Sequence, residues 1–229
     1  MNGQPVISMR GVTYRYGSCV ALDDVSLTIE SGTLVALVGG NGSGKSTLLG
    51  ILADLLEPAL GSVECRTRRR PAIVFQRPKS SDELPLTVCE CVSIGRYGPR
   101  RLFRRLGGAD RRIVTDLMER LEIDHLAGRQ FRDLSGGQQQ RTLLAQGLAQ
   151  QSDLLLLDEP TSALDVAGQA IVDEVLREAT AAGTTVVHAT HRLEDAVRSD
   201  QSVELAAGRV VHVSTRTDAA RTATRPLQK

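Results

Sequence analysis

From Gly39 the chain reads Gly39-Gly40-Asn41-Gly42-Ser43-Gly44-Lys45-Ser46-Thr47, and Gly39 to Ser46 fit the spacing G-x-x-x-x-G-K-[ST]. Glycines at this density let successive backbone N–H groups turn toward one point. A following helix adds its positive N-terminal end, so several donors converge on a phosphate. Lys45 supplies a point charge for β- and γ-phosphates, and the Ser46 hydroxyl can ligate Mg2+. The pattern carries this meaning only between a strand and a helix; elsewhere it is a glycine-rich turn. Here the apolar run Leu34–Val38 precedes it, and a helix from about 46 to 56, closed by Pro58, is expected after it.

A second group of residues could complete a hydrolytic site. Leu154–Leu157 run directly into Asp158-Glu159-Pro160. A parallel strand opens at its C-terminal end onto the ligand edge of the sheet. Asp158 would there hold the metal, and Glu159, one residue on, would polarise an attacking water as general base. Adjacent acids after a strand also serve as a simple helix-start signal, and it is the company of the phosphate loop that gives this pair its chemistry. A third segment, Leu134-Ser135-Gly136-Gly137-Gln138, reads as a helix start capped by Ser135 with two glycines in its first turn. Such an exposed N-terminus suits an anion, although a capped helix with no ligand is the plainer reading.

These groups need a scaffold. Residues 5–30 alternate apolar and polar, with turn signals at Tyr16-Gly17-Ser18 and Asp23-Asp24, and predict short antiparallel strands. Leu34–Val38, Leu154–Leu157 and Val186–Thr190 are continuous apolar runs of the kind buried on both faces of a parallel sheet. A helix from about Val166 to Ala182, stopped by Gly183, separates the last two. Between Leu86 and Leu134 the period becomes helical: Ile113, Val114, Leu117, Met118 and Leu121 share a face, with Asp110 expected to cap the start. Val203–Leu205 and Val210–Val213 flank Ala207-Gly208 as a hairpin. From Ser214 the chain is Thr, Ala and Arg with few apolar groups, read as a disordered tail over 214–229.

The 229 residues make one large α/β unit with an appended subdomain. No apolar run approaches the roughly 20 residues of a membrane span, and Met1–Pro5 lacks a secretory leader. A cytosolic chain with reduced cysteines is therefore expected, and Cys89-x-Cys91 is only a weak metal spacing. Net charge of +1 gives no reason to expect nucleic acid. The arginine clusters at 66–70 and 100–105 are read as solvated surface.

Taken together the motifs resemble the ATP-binding-cassette (ABC) ATPases from about Val6 to Val213, and Leu134–Gln138 is similar letter for letter to that family's signature. The resemblance implies a P-loop NTPase core with a mostly parallel sheet, an N-terminal antiparallel β subdomain and an α-helical subdomain inserted at about 84–134, within a domain spanning 5–213. It implies ATP and Mg2+ as ligands. It also implies a head-to-tail homodimer in which each ATP lies between one copy's phosphate loop and the other's Ser135, Gly136, Gly137 and Gln138. By the same resemblance Tyr16 stacks on adenine and Gln76 approaches Mg2+ and the attacking water. Asp165 contacts the opposing copy, and His191 contacts the γ-phosphate; His188 is read as structural. Gly40 stands where many members have proline, and Arg192 where aspartate is frequent.

Chromosome-maintenance members insert hundreds of coiled-coil residues before the signature, whereas Thr47 and Leu134 are 87 positions apart (134 − 47). Translation-factor members carry two cassettes, and this sequence has one set of motifs. The expectation is a transporter's separate ATPase subunit, peripheral on the inner membrane face and working with transmembrane permease subunits and an extracytoplasmic substrate-binding protein. Leu84–Val88, Ile94–Gly98, Leu102–Leu106, Ala109–Arg111 and Leu143–Gln150 look like zinc and manganese importer ATPases. Iron-siderophore or cobalamin import, or export, are the alternatives, followed by a soluble non-transport ABC ATPase.

Overall fold

The computed structural model describes residues 5–75, 85–97 and 105–216. Strands β1 (Pro5–Tyr16) and β2 (Cys19–Glu30) form one long antiparallel hairpin. Its turn is at Gly17, whose φ of 58° belongs to the left-handed region. The second expected turn, at Asp23-Asp24, is not one. Val12 pairs with Val25 and Tyr14 with Leu22, so β2 carries one extra residue there, and Asp24 takes φ 54° inside a bulge. Its N–H donates to Thr13 Oγ1 across the strands, so a polar, turn-favouring residue bends a strand and does not end it.

β3 (Leu34–Val38) leads through the glycine-rich loop into α1 (Lys45–Leu52). That helix stops short of the expected 56 because Asp54 turns left-handed at φ 60°. Leu55 and Leu56 then donate back to Gly50 O, closing the last turn before Pro58 is reached. β4 (Leu60–Cys65) returns to the hairpin, giving a three-stranded antiparallel sheet in the order β2-β1-β4.

The second sheet is built from β5 (Ala72–Val74), β6 (Leu154–Asp158), β7 (Thr185–Thr190), β8 (Gln201–Ala206) and β9 (Arg209–Thr215) together with β3. Its order is β5-β6-β7-β3-β8-β9, with only β9 antiparallel. The β8–β9 turn uses Ala207 and Gly208, both at positive φ, as a two-residue hairpin requires. β9 takes in Ser214 and Thr215, which composition assigns to the tail; residues 217–229 lie outside the described residues.

Alternation along the strands divides two cores. Leu155 and Leu157 face one cluster with Leu34, while Leu154 and Leu156 face the other with Val35 and Leu37. All four leucines of β6 are at most 1% exposed, each contributing about 1.5–3 kcal/mol of burial. The first cluster is covered by α2 (Val88–Ile94), α3 (Gly108–Arg120), α4 (Gly136–Ala149) and α5 (Val166–Ala181). α5 ends at Gly183, which takes φ 99°. The short α6 (Leu193–Arg198) follows β7.

Asp110 helps cap α3 from its third position and not from the N-cap itself. The cap is Gly107, and Asp110 sits in the first turn, accepting from Gly107 N at 3.2 Å and from Arg96 of the α2 segment at 2.9 Å. The Arg96 partner, distant in sequence, claims its carboxylate. Cys89 is exposed and Cys91 buried, so the pair does not converge on one ion. Burial pushes the Cys91 thiol up to about 11. Among the described residues no helix is long and apolar enough to cross a membrane.

Candidate active site

The loop after β3 is shaped by positions where only glycine fits. A Cβ on Gly39 would stand 2.4 Å from Leu205 O and 2.6 Å from Ser43 Oγ, and one on Gly44 2.7 Å from Ala21 O. Gly44, at φ 105°, is the N-cap of α1 and brings no capping side chain. The N–H groups of Lys45, Ser46 and Thr47 therefore begin a helix whose first turn has no intrahelical acceptors. Lys45 is buried and folds its ammonium back over the loop, donating to Gly39 O at 2.8 Å and Gly40 O at 2.9 Å. Ser43 Oγ is buried with no hydrogen-bond partner among the described residues. An ammonium, free amides and an orphaned hydroxyl gathered in one loop fit a polyphosphate. Asn41, Gly42 and Ser46 are exposed along the same loop, and Thr47 is buried beneath it.

Strand order sets the reacting groups beside that loop. β5, β6, β7 and β3 are neighbours, and their C-terminal ends form one row. Asp158 pairs with Ala189 and Val38 with Thr190, so Glu159, His191 and Gly39 emerge at adjacent strand ends. Asp158 is buried at the end of β6. Glu159 continues the pairing by donating its N–H to Ala189 O at 3.0 Å, but at φ 50°. That left-handed backbone is costly for a non-glycine residue and turns the carboxylate toward His191, whose Nδ1 lies 3.5 Å from Glu159 Oε1. Ser162 Oγ donates to Glu159 O at 3.1 Å and braces the turn.

Ser135 caps α4 in a reciprocal box: its hydroxyl accepts from Gln138 N at 3.3 Å while Gln138 Oε1 accepts from Ser135 N at 3.0 Å. Gly136 and Gly137 let this helix start lie against 163–164, since a Cβ on Gly137 would meet Leu164 Cδ2 at 3.1 Å. Asp165 caps α5, accepting from Gly168 N at 2.9 Å.

The family model described as ABC transporter matches residues 22–162, which takes in the loop, the signature segment and both acids. The chain belongs to the ABC transporter family. It is 35% identical over 191 residues to the manganese transport system ATP-binding protein MntB of Listeria innocua, covering 81% of this chain and 80% of that one. It is 37% identical over 219 residues to the hemin import ATP-binding protein HmuV of Thermobifida fusca, covering 91% and 76%. Among solved structures it superposes on an inward-facing transporter assigned to the metal-chelate ABC type with TM-score 0.81, 30% identity and coverage of 95% and 85%. The dimeric post-hydrolysis cassette MJ0796 bound to ADP and Pi gives TM-score 0.78 and 28% identity, covering 91% and 98%.

This ABC cassette thus has the α/β fold that its motifs imply. Tyr16 stands at the tip of the β1–β2 hairpin, 54% exposed, with its ring edge-on to Tyr14 at 4.9 Å. β2 approaches the phosphate loop through Ala21 and Leu22. Gln76 lies outside the described residues; β5, which precedes it, ends beside β6 in the row of strand ends. The loop, Asp158, Glu159 and His191 share one edge, and the Ser135 and Asp165 segments meet where Gly136 and Gly137 lie against Ala163 and Leu164. A hollow of about 860 Å3 lies elsewhere, between the end of α1, β4 and Arg68–Pro71, and is lined by none of these groups.

His188 is buried, 3.3 Å from Ser199 Oγ. Burial pushes its imidazole below the usual range, with the carboxylates of Asp195 and Asp173 opposing. Sequence reasoning missed the partners that orient this edge: Gln169, which faces Arg192, and Thr190, whose hydroxyl donates to Asp195 Oδ2 at 2.6 Å. Their only sequence signal is Arg192 standing where aspartate is frequent.

Proposed function

We propose that this cassette hydrolyses ATP to drive transport through separate transmembrane permease subunits, as one half of a head-to-tail homodimer at the cytoplasmic membrane face. The observation that carries the reading is the alignment of Glu159 and His191 at neighbouring strand ends beside the phosphate loop. Lys45, the loop amides and Ser43 hold the phosphates of ATP, and Tyr16 covers the base. Ser46 and Asp158 offer a hydroxyl and a carboxylate, hard oxygen donors suited to Mg2+, with Gln76 as a further ligand. The metal would supply charge neutralisation at the phosphates. Glu159 draws a proton from the attacking water, and His191 orients it and the γ-phosphate from the adjacent strand. Ser135, Gly136, Gly137, Gln138 and Asp165 serve the nucleotide of the opposing copy. Closure on ATP and reopening after hydrolysis would move the permease.

The cargo we propose is a divalent metal, manganese or zinc, delivered by an extracytoplasmic binding protein; the manganese-transport relatives support this. The hemin and metal-chelate relatives favour a metal chelate as second reading. Uptake of manganese, zinc and an iron chelate, each compared in cells with and without the gene, separates them. For the catalytic role, Glu159→Gln should bind ATP with unchanged affinity and accumulate as an ATP-bound dimer. Its turnover should fall by about 100-fold or more; near-normal turnover sinks the assignment.

A further inference from the structure

A run of side-chain hydrogen bonds begins beside His191. Arg192 donates through one guanidinium nitrogen to Gln169 Oε1 at 2.5 Å and through another to Glu194 Oε2 at 2.9 Å. Gln169 carries the connection on, its Nε2 donating to Leu164 O at 3.0 Å. The amide is thereby oriented at both ends, oxygen toward the cation and nitrogen toward the carbonyl. Leu164 in turn packs where Gly137 leaves room at the start of α4. The run borders a cavity of about 160 Å3 that Glu159 and His191 also line.

His191 is 58% exposed in its side chain and sits on the turn between β7 and the short α6, so regular structure fixes it weakly. From below, the turn is tied by Thr190, which accepts from Arg192 N at 3.1 Å and donates to the buried Asp195. From the side it is tied by the Arg192 guanidinium, beside the 3.5 Å approach of His191 Nδ1 to Glu159 Oε1. An aspartate at 192 could not donate to Gln169 Oε1. A lysine could, but it lacks the planar fork that serves Gln169 and Glu194 together.

We propose that Arg192 and Gln169 are positioning residues that hold the His191 turn in register with the Leu164–Asp165 segment and the Ser135 helix start. Docking of a second copy on that surface then fixes the His191–Glu159 pair for hydrolysis. This rests on the assignment of Glu159 and His191 made above. Among the described residues neither side chain hydrogen-bonds to the phosphate loop or to Tyr16, so both are expected to act on the rate and not on nucleotide binding.

The test is steady-state ATP hydrolysis by the purified full-length chain. Arg192→Ala and Gln169→Ala should each lower kcat about 5- to 20-fold with KM for ATP within twofold. The double variant should be no slower than the worse single one, because both act through one connection. Arg192→Lys should regain part of the rate, and Glu194→Gln should stay within twofold of the parent. Gln169→Glu keeps an acceptor for Arg192 but loses the donor to Leu164 O, so it should remain folded and still be slow. An unchanged kcat, a rise in KM alone, or losses that multiply in the double variant would overturn the proposal. Glu159→Gln is measured alongside. If it turns over normally, the catalytic assignment falls and this proposal with it; if it is inactive while Arg192→Ala is normal, this proposal falls alone.

Discussion

The starts of α1 and α4 are both glycine-rich helix N-termini, yet they solve the same problem in opposite ways. At α1 the cap is Gly44, with no side chain to receive the first-turn amides, and Lys45 is folded over the loop carbonyls. At α4 the cap is Ser135, and a complete capping box satisfies the helix from within. The first site is unfinished without a ligand. The second is satisfied on its own, and its half-buried glycines and helix dipole are what it would offer an anion in the proposed dimer. On the proposed function, two similar sequences would mark a site that holds its nucleotide and a site that meets one brought by another copy.

The largest expected effect tests the second half of this contrast. Ser135→Arg should cut turnover by more than about 100-fold, and in a Glu159→Gln background it should abolish the ATP-dependent dimer in sedimentation. ATP affinity of the monomer should stay within about twofold. A dimer that still forms would reduce α4 to an ordinary capped helix. Next, Lys45→Ala removes charge-assisted bonds worth about 1.5–3 kcal/mol, so calorimetry should show ATP affinity falling about 10- to 100-fold. Equal losses in Ser135→Ala would erase the distinction.

Stability offers a finer comparison. Gly44→Ala forces a Cβ into φ 105° and against Ala21 O, and should cost about 2–4 kcal/mol. Ser135→Ala loses only a cap, about 1 kcal/mol. In a chain of this size each kcal/mol is about 2–4 °C of Tm, so the two melting curves should separate clearly. Coincident curves would mean that the loop relaxes around an added methyl.

The smallest effect concerns the buried histidine of β7. Buried His188 is held below its ordinary value of 6.5, so the unfolded chain takes up its proton first as pH falls. The contribution is whole above 6.5 and is lost as pH drops below it. Thermal scans from pH 7.5 to 5 should therefore show Tm falling, and His188→Gln should flatten that slope.

Sequence carries these features unevenly, for physical reasons. The Gly39–Thr47 loop and the acids after Leu157 are legible because their chemistry is local: spacing alone aims the amides, and a buried strand must end at the ligand edge. Asp24 misleads, and Asp110 is only half legible, for the opposite reason. Each is a residue of turns and caps, and whether it bends a strand, caps a helix or pairs with Arg96 is decided by a partner far away in sequence. Asp165 has two positions to satisfy at once, as cap of α5 and as surface beside α4, and only the first is visible in its spacing. The β5-β6-β7-β3 order, which brings Glu159 against His191, is nowhere in the one-dimensional pattern. Nor is Gln169, whose meaning comes entirely from the arginine it faces.

Glu159 bears its carboxylate on a backbone that a glycine would occupy more comfortably. Its neighbours keep it there: the carbonyl of Ala189 takes its amide and Ser162 takes its carbonyl. Glycine at 159 would relieve about 1–3 kcal/mol of strain while deleting the proposed base. With Glu159 as the proposed base, selection for a sturdier protein and selection for a working one would pull this position in opposite directions.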